Sequence, residues 1–303
     1  MKLTFRIEYR TAWGEMLGAT LCGNDNQPIM LSTGDGIRWE GSAEMTDAPA
    51  GIPISYRYGV YRDGQCIRRE SGTMPHIFCP GKKRNCHYIL DDFWKDLPQE
   101  SYLYSSAFSG DYQSANSIKT MAPADCSITF RALCPCLHHK HQQLGICGRG
   151  AALGNWDCKQ TVLMEEIQAN EWTVTLNAAS LEFPLEYKFV ACNADTKEVE
   201  EWEVHNNRLL CIDGMKKGEI YLTPESEVRF TSSARKVAGT AIPVFSLRSE
   251  GSFGVGDFGD LKKLIDWAVS THQQAIQILP INDTTITNTW MDSYPYNSIS
   301  IYA

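Results

Sequence analysis

Three glycines in the C-terminal part of the sequence have the spacing of a nucleotide-binding turn. Gly254, Gly256 and Gly259 follow an apolar run and precede a helical pattern. Such glycines let backbone amides and a helix N-terminus approach a pyrophosphate. Here, however, Asp257 lies inside the pattern and Asp260 follows it, and two carboxylates oppose an anionic ligand. Because no acidic residue ends the next strand, as a dinucleotide site requires, a nucleotide-dependent oxidoreductase is disfavoured.

Aromatic residues in the middle of the sequence indicate a different chemistry, the binding of sugar rings. Trp156 belongs to the segment LGNWD, and Trp202 lies between two glutamates and is followed by Asn206 and Asn207. Glucan chains present flat apolar ring faces edged with hydroxyls. Proteins bind such faces by stacking aromatic rings on them and adding a few hydrogen bonds. Packing in a hydrophobic core is the alternative role for each tryptophan.

A cluster of cysteine and histidine residues, CPCLHHKH, occupies residues 134–141. Thiolates and imidazoles this close together are potential zinc ligands. No second ligand pair follows at finger-like spacing, and Cys134 and Cys136 would share a strand face that His139 does not. We therefore favour a variable surface loop and predict neither a metal nor a cofactor.

Two strand-rich segments precede the glycine pattern. Alternation of apolar and polar residues, with Gly, Asp, Asn and Pro between the runs, is typical of an antiparallel sandwich. In residues 1–90 it predicts strands at Leu3–Tyr9, Met16–Cys22, Arg38–Met45, Ile54–Tyr61 and Cys86–Leu90. From residue 126 to about 223 it predicts strands that include Ile128–Leu133, Trp172–Leu176, Leu185–Ala191 and Glu219–Leu222.

The two segments have the marks of an internal repeat. Each contains a short tryptophan segment, Arg38–Gly41 or Glu171–Val174, and then an aromatic-basic-aromatic strand, Tyr56–Tyr58 or Tyr187–Phe189. Recurrence of two motifs in the same order predicts two copies of one small β module.

The pattern changes from about residue 234. Ala241–Leu247 and Ala275–Ile281 are predicted to be buried strands, and apolar residues between Leu261 and Ala268 recur at helical spacing. A strand, a helix and a second strand predict a parallel βαβ unit. The sequence ends before such an α/β domain is complete, so we expect the first part of a longer domain.

Composition narrows the functional classes. The 303 residues carry a net charge of −8, which argues against nucleic acid as a partner. Eleven cysteines without a repeating framework, and an N-terminus without a secretory signal, favour a reduced, cytoplasmic protein. No apolar run approaches the length of a membrane span, so a membrane partner is not expected.

The second strand-rich segment resembles a known family. LGNWD, EWTVTL, EYKFV and EEWE occur in the order found in starch-binding modules of carbohydrate-binding family 20. The resemblance implies an immunoglobulin-like sandwich that binds starch, with the following contacts: a platform of Trp156 and Trp202, hydrogen bonds from Lys188 and from Asn206 or Asn207, and Trp172 in a second site. Lys140 stands where the family has a tyrosine of that second site.

The first segment resembles the same family less closely. Trp13 and Trp39 fit the second type of site. The LGNW motif is replaced by Cys22–Asp25 and the late tryptophan by Arg68–Glu70. The resemblance implies that the two modules carry complementary sites, and linking two weak sites increases avidity for a long polymer.

Residues 239–268, 275–283 and 293–303 resemble the beginning of the catalytic (β/α)8 barrel of glycoside hydrolase family 77, the 4-α-glucanotransferases. The resemblance implies a retaining mechanism with a carboxylate nucleophile and a carboxylic acid/base. In this family both come from late barrel strands, so we predict no catalytic residue among these 303. Tyr294, Tyr296 and Ser298 match a segment near the substrate and are predicted glucan contacts.

The expected architecture is two all-β antiparallel, immunoglobulin-like sandwiches followed by the first βαβ portion of a barrel. The predicted boundaries are residues 1–95 and 125–224 for the starch-binding sandwiches, 96–124 for a linker and 225–303 for the barrel start. The expected function is binding of starch, glycogen or maltooligosaccharides and, in a full-length enzyme, retaining transfer of α-1,4-glucan segments. The alternative is a stand-alone, non-catalytic glucan-binding or scaffold protein.

Overall fold

The computed structural model describes residues 1–23, 27–45, 52–71, 75–81, 85–96, 126–135, 137, 141–168, 170–212, 214–231, 238–281, 287, 289 and 291. The chain divides into two compact units, Met1–Ser233 and Ala234–Ala303. The first unit contains two hydrophobic cores, each enclosed by a β-sandwich.

The first sandwich has nine strands among its described residues. They are β1 Lys2–Glu8, β2 Met16–Leu21, β3 Ile29–Met30, β4 Ser32–Thr33, β5 Arg38–Glu44, β6 Ile54–Arg62, β7 Gln65–Arg69, β8 His76–Phe78 and β9 His87–Phe93. Strands β3, β2, β6 and β7 form an antiparallel sheet in that order, and β8 also pairs with β6. Alternate residues of β1 (Leu3, Phe5 and Ile7) are buried against this sheet, as the period-two pattern predicts.

The second sandwich follows the same plan. Its strands are β10 Ser127–Leu133, β11 Gln142–Gly148, β12 Val162–Leu163, β13 Glu165–Gln168, β14 Glu171–Asn177, β15 Leu185–Asn193, β16 Val199–Trp202, β17 Arg208–Leu210, β18 Glu219–Leu222 and β19 Ser226–Glu227. Strands β12, β11, β15 and β16 form its antiparallel sheet, and β17 also pairs with β15.

Equivalent side-chain contacts recur in the two sandwiches. Phe5 packs edge-on against Tyr56 at a ring distance of 5.2 Å, and Phe130 packs in the same way against Tyr187 at 5.1 Å. Each sandwich also has one buried glutamate that accepts a hydrogen bond from a backbone N–H. The donor is the aromatic residue that follows Tyr56 or Tyr187 by two positions. These bonds are Glu70 to Tyr58 at 2.7 Å and Glu203 to Phe189 at 2.8 Å. The internal repeat is therefore present in the structure.

The two sandwiches share one continuous sheet. Its strand order is β13-β14-β10-β18-β9-β1-β5-β4, and β19 also pairs with β10. Strand β18 of the second sandwich lies between β10 and β9 and runs parallel to both. Ile220 and Leu222 of β18 pack in the first core, whereas Tyr221 packs in the second. Because alternate side chains point to opposite faces, the two sandwiches lie on opposite faces of the shared sheet.

The expectation of purely antiparallel sandwiches is wrong for this shared sheet. Strand β9 pairs in parallel with β1 and with β18, and β18 pairs in parallel with β10. The first and last strands of each sandwich lie side by side and run in the same direction, which makes the sheet mixed. The predicted domain boundaries remain predictions, and residues 97–125, which include nearly all of the predicted linker, lie outside the described residues.

The second unit contains the predicted strand, helix and strand. Strand β20 spans Gly239–Ile242, helix α1 spans Phe258–Ser270 and strand β21 spans Ala275–Ile278. The two strands pair in parallel. Asp257 caps the helix, since its side chain accepts from the backbone N–H groups of Gly259 and Asp260. These elements are what the βαβ prediction requires, and a complete barrel remains a proposal.

Both predicted strands of this unit are shorter and more exposed than expected. The first ends at Ile242 rather than Leu247, because Pro243 has no N–H to donate to a ladder and a 3-10 turn follows at Val244–Ser246. The second ends at Ile278 instead of Ile281, and three of its four residues are exposed. Within residues 238–281 only α1 and the 3-10 turn accompany this two-stranded sheet. No helix among the described residues is long and apolar enough to cross a membrane.

Candidate functional site

A strained turn after β11 carries Trp156. Leu153 is fully buried and anchors the turn in the core of the second sandwich. Gly154, Asn155 and Trp156 then have positive φ angles of 73°, 48° and 65°. Such a conformation is costly for a residue with a side chain, and Asp157 supports it by accepting from the Lys159 N–H at 3.0 Å. Local strain of this kind, at an aromatic residue, is typical of a functional site.

Trp202 brings a second indole beside Trp156. The two ring centroids are 6.2 Å apart with an interplanar angle of 37°, and both side chains are half-buried. Trp202 lies on β16 opposite Val190 of β15, on the outward face of the smaller sheet. The neighbouring residue Glu203 points inward, is buried, and pairs with Arg208 at 2.7 Å. This ion pair fixes the end of β16 and therefore the position of Trp202.

The predicted polar contacts lie on the same outward face. Lys188 and Val190 alternate along β15 and share that face, and Lys188 is half-buried. Asn207 donates a hydrogen bond from Nδ2 to Glu186 Oε1 at 2.7 Å, and Glu186 precedes Lys188 by two positions on the same face. Asn206 is exposed in the adjoining loop. The structure thus brings Trp156, Trp202, Lys188 and Asn207 to one surface and leaves Asn206 exposed.

The structure places Trp172 differently from the other predicted residues. It lies on β14 opposite Ala132, is 5% exposed and packs in the core of the second sandwich. Little indole surface remains for a ligand, and its Nε1–H has no hydrogen-bond partner among the described residues. Lys140, at the other predicted position of this second site, lies outside the described residues.

Trp13 and Trp39 line a common pocket in the first sandwich. The pocket has a volume of about 660 Å³ and lies between residues 10–15 and the turn 33–37. Trp13 is fully exposed, whereas Trp39 is 5% exposed and donates its indole N–H to the Tyr9 carbonyl at 3.1 Å. Asp35 stabilises the turn, and hydrogen bonds from the backbone N–H groups of Arg38 and then Ile37 lower the pKa of its carboxyl.

The first sandwich has an arginine where the second has Trp202. Arg69 lies opposite Gly59 of β6, and Trp202 lies opposite Val190 of β15. These two cross-strand pairs are equivalent in the two sandwiches. The preceding residue, Arg68, stacks over the rings of Tyr9 and Trp94, with its Cζ atom 5.7 and 5.1 Å from their centroids. No two-tryptophan platform therefore occurs among the described residues of this sandwich. Asn24 and Asp25 of the replaced LGNW segment lie outside them.

Sequence reasoning missed two supporting contacts, the Glu203–Arg208 pair and the stack on Arg68. Neither contact has a characteristic sequence spacing. Arg208 reaches Glu203 across the turn between β16 and β17, and Arg68 meets Tyr9 and Trp94 from distant parts of the sequence. Several predicted residues lie outside the described part of the chain: Cys136, His139, Tyr294, Tyr296 and Ser298. The barrel contacts therefore remain predictions, as does the absence of zinc.

At the glycine turn, backbone N–H groups in the first turn of α1 are already hydrogen-bonded to a side chain of the chain itself. Asp257 Oδ1 accepts from the N–H groups of Gly259 at 2.7 Å and Asp260 at 3.1 Å. Asp260 in turn accepts from the Asp257 N–H at 3.2 Å and from the Ser252 hydroxyl at 2.7 Å. A pyrophosphate would have to compete with these carboxylates for the same donors, which agrees with the argument against a nucleotide site.

Two protein families match separate parts of the chain. Residues 125–219 match the starch binding domain family. Residues 242–303 match the 4-alpha-glucanotransferase family.

Curated relatives agree with these matches. The chain is 30% identical over 324 aligned residues to the 4-alpha-glucanotransferase DPE2 of Oryza sativa subsp. japonica, covering 99% of this chain and 33% of the rice protein. It is 49% identical over 65 residues to the 4-alpha-glucanotransferase of Chlamydia trachomatis, covering 22% of this chain and 11% of that protein. The chain thus spans a third or less of the length of these relatives.

A solved structure of the family 20 carbohydrate-binding module of a maltotetraose-forming amylase from Pseudomonas saccharophila also aligns. It has a TM-score of 0.26 and 19% identity, and the alignment covers 32% of this chain and 98% of that module. Residues 125–219 of the chain are thus similar to a starch binding domain, and residues 242–303 are similar to part of the 4-alpha-glucanotransferase family.

Proposed function

We propose that this chain binds α-1,4-glucan on the outward face of the second sandwich. The observation that carries the proposal is the pair of half-buried indoles of Trp156 and Trp202, 6.2 Å apart, within the part of the chain that matches a starch binding domain. Two rings this close, tilted by 37°, offer stacking surfaces for consecutive glucose units of one α-glucan chain. Stacking on both rings supplies most of the binding energy.

Polar groups around the two indoles would fix the orientation of the glucan. The Lys188 ammonium group and the Asn207 amide, which is bonded to Glu186, would bond sugar hydroxyls, together with the exposed Asn206 amide. Such bonds add selectivity for a sugar over other apolar ligands. The pocket between Trp13 and Trp39 is proposed as a second glucan site, where the fully exposed indole of Trp13 offers a stacking surface.

We further propose that a longer protein containing this chain transfers α-1,4-glucan segments or glucose to an acceptor glycan with retention of configuration. The match of residues 242–303 to the 4-alpha-glucanotransferase family supports this proposal. Retention requires a carboxylate nucleophile and a carboxylic acid/base about 5 Å apart. We assign neither role within residues 1–303, whose part in the reaction is to hold the polymer.

Affinity electrophoresis in gels containing soluble starch tests the binding proposal. The chain is expected to be retarded, and combined substitution Trp156→Ala with Trp202→Ala should weaken binding by about 1–3 kcal/mol because the stacking surface is lost. Trp267→Ala is the matched control, since Trp267 is half-exposed on α1, remote in sequence from the platform. Unchanged retardation of a folded double variant would refute the platform.

A further inference from the structure

A cluster of buried charges lies where the two sandwiches meet. This junction cluster consists of Glu70, His76, Asp92 and Lys95 of the first sandwich and Arg131, Glu171 and Glu225 of the second. Each of these side chains is at most 8% exposed. Charges so far removed from water are tolerated only when they are paired and hydrogen-bonded.

The pairs of the junction cluster connect one sandwich to the other. Three such pairs join Arg131 Nη2 to Asp92 Oδ1 at 2.7 Å, Lys95 Nζ to Glu171 Oε1 at 2.8 Å, and His76 Nδ1 to Glu225 Oε2 at 2.8 Å. Arg131 Nη2 also donates to the Asp91 carbonyl at 2.7 Å. Each sandwich therefore supplies both cations and carboxylates that need partners in the other.

The equivalent buried pair of the second sandwich is self-contained. Glu203 is paired with Arg208, a residue of β17 that lies opposite Tyr187 of β15. In the first sandwich the equivalent positions hold Glu70 and His76. Arg208 uses its guanidinium on Glu203 and a carbonyl of its own sandwich. The His76 ring instead bonds Glu70 with one nitrogen and reaches the other sandwich with the second.

The junction cluster is better suited to joining the sandwiches than to holding a metal. His76, Asp92 and Glu225 each offer a ligand atom, and these atoms lie within 4.8 Å of one another. Arg131, however, is paired with Asp92 and also lies 3.6 Å from Glu225, as does Lys95. These two cations already neutralise the carboxylates and would repel a divalent ion.

We propose that residues 1–231 fold as one obligate unit, in which the second sandwich is stable only while it is paired with the first. Separation would break the three ion pairs across the junction and the backbone ladder between β18 and β9. It would also expose Ile220 and Leu222, which pack in the first core. The part of the chain that matches a starch binding domain is thus not autonomous, and this inference does not depend on glucan binding.

Hydrogen exchange of the full chain tests the proposal with two matched core substitutions. Leu17 and Leu144 occupy equivalent positions of β2 and β11, opposite Val60 and Ala191, and both are fully buried. Leu17→Val and Leu144→Val should each accelerate the slowest amides of both sandwiches by the same factor, on the order of 5- to 10-fold, because these amides exchange through one shared unfolding event. Acceleration confined to the substituted sandwich would overturn the proposal.

Arg131→Met then tests whether the junction cluster is the cause. It removes the cation that the second sandwich places on Asp92, so the slowest amides of both sandwiches should exchange faster. Leu17→Val added to it should no longer affect both sandwiches equally. Arg229→Met is the matched control, because Arg229 pairs with Glu227 at an exposed position. If Arg131→Met exchanges like Arg229→Met, the cluster does not join the sandwiches. Should Arg131→Met fail to fold, the comparison of the two leucine variants still decides between one unit and two.

Discussion

Gly154 shows how a single residue determines the position of Trp156 in the proposed glucan platform. It lies between the buried anchor Leu153 and the exposed Asn155, and its φ angle of 73° belongs to the left-handed region that favours glycine. A Cβ atom at this position would lie 2.6 Å from the carbonyl oxygen of Gln160. The backbone therefore has no room for a side chain at the point where it turns toward Trp156.

We predict that Gly154→Ala displaces Trp156 and weakens retardation in starch gels to nearly that of the Trp156→Ala variant. Gly150→Ala is the control, because Gly150 also has a positive φ angle, 89°, but a Cβ atom there would approach none of the described residues beyond its chain neighbours within 4 Å. Both variants incur a backbone cost of roughly 1–2 kcal/mol, which thermal unfolding measures. Only Gly154→Ala should lose binding, and equal retardation of the two variants would contradict the steric argument.

The sequence predicts which residues form the platform better than it predicts the contacts that hold them in place. Trp156 and Trp202 stand in motifs whose order indicates a carbohydrate site, and the structure places their rings side by side. The motifs do not reveal that Trp172 is almost wholly buried, because burial depends on the residues that pack over β14. Nor do they reveal Arg208, which reaches Glu203 only after the chain has turned between β16 and β17.

Strand β8 carries the titratable side chain on which the junction cluster depends. The His76 ring lies beside the carboxylates of Glu70, Asp92 and Glu225 and against the rings of Tyr56 and Tyr58. Lys95 and Arg131 pair with two of the same carboxylates, those of Glu225 and Asp92. Burial alone would lower the pKa of His76, but the carboxylates of Glu225 and Asp92 outweigh it and raise this pKa to about 10. The imidazole is therefore protonated in the folded state at neutral pH.

We predict that the free energy of unfolding falls as the pH rises from about 6.5 towards 10. A group whose pKa is raised on folding stabilises the protein fully below its unfolded pKa and loses that contribution as the pH approaches the folded pKa. The slope from one proton is at most about 1.4 kcal/mol per pH unit. Urea unfolding between pH 6 and 10 measures it.

His76→Gln is the control for this pH dependence. Burial also raises the pKa of the thiols of Cys147 and Cys192, so thiol ionisation adds a slope above about pH 8.5 in both proteins. The difference between the two curves isolates His76. Parallel curves for the wild type and His76→Gln between pH 6.5 and 8.5 would show that His76 is not protonated in the fold.

The positions of the strands follow from the local sequence. The pairing of edge strands from the two sandwiches into one sheet does not. Period-two burial predicts β1, β6 and β18 to within two residues at each end. At Ala241–Leu247 the apolar pattern continues, but Pro243 ends the ladder. The insertion of β18 between β10 and β9 depends on contacts between strands far apart in the sequence, which no local pattern records.

On the scale of the whole molecule, the shared sheet changes how the two candidate glucan sites cooperate. Two modules on a flexible tether would have an effective concentration set by linker length. Here both sandwiches belong to one compact unit and pack on the same nine-stranded sheet. The Trp13 pocket and the Trp156–Trp202 platform are therefore held at a fixed separation, and only a ligand long enough to span it can occupy both sites at once.

We predict that Trp13→Ala weakens binding of long amylose by a larger factor than binding of β-cyclodextrin. The cyclodextrin has seven glucose units and occupies one site at a time. The Trp13→Ala variant therefore still binds it at the Trp156–Trp202 platform with unchanged affinity. Long amylose loses the second, intramolecular contact, which multivalent binding makes worth roughly 100-fold or more. Isothermal titration with both ligands measures the two ratios, and Trp267→Ala should change neither. Equal losses for the polymer and the cyclodextrin would mean that the sites bind separately and that the fixed geometry of the two sandwiches adds no avidity.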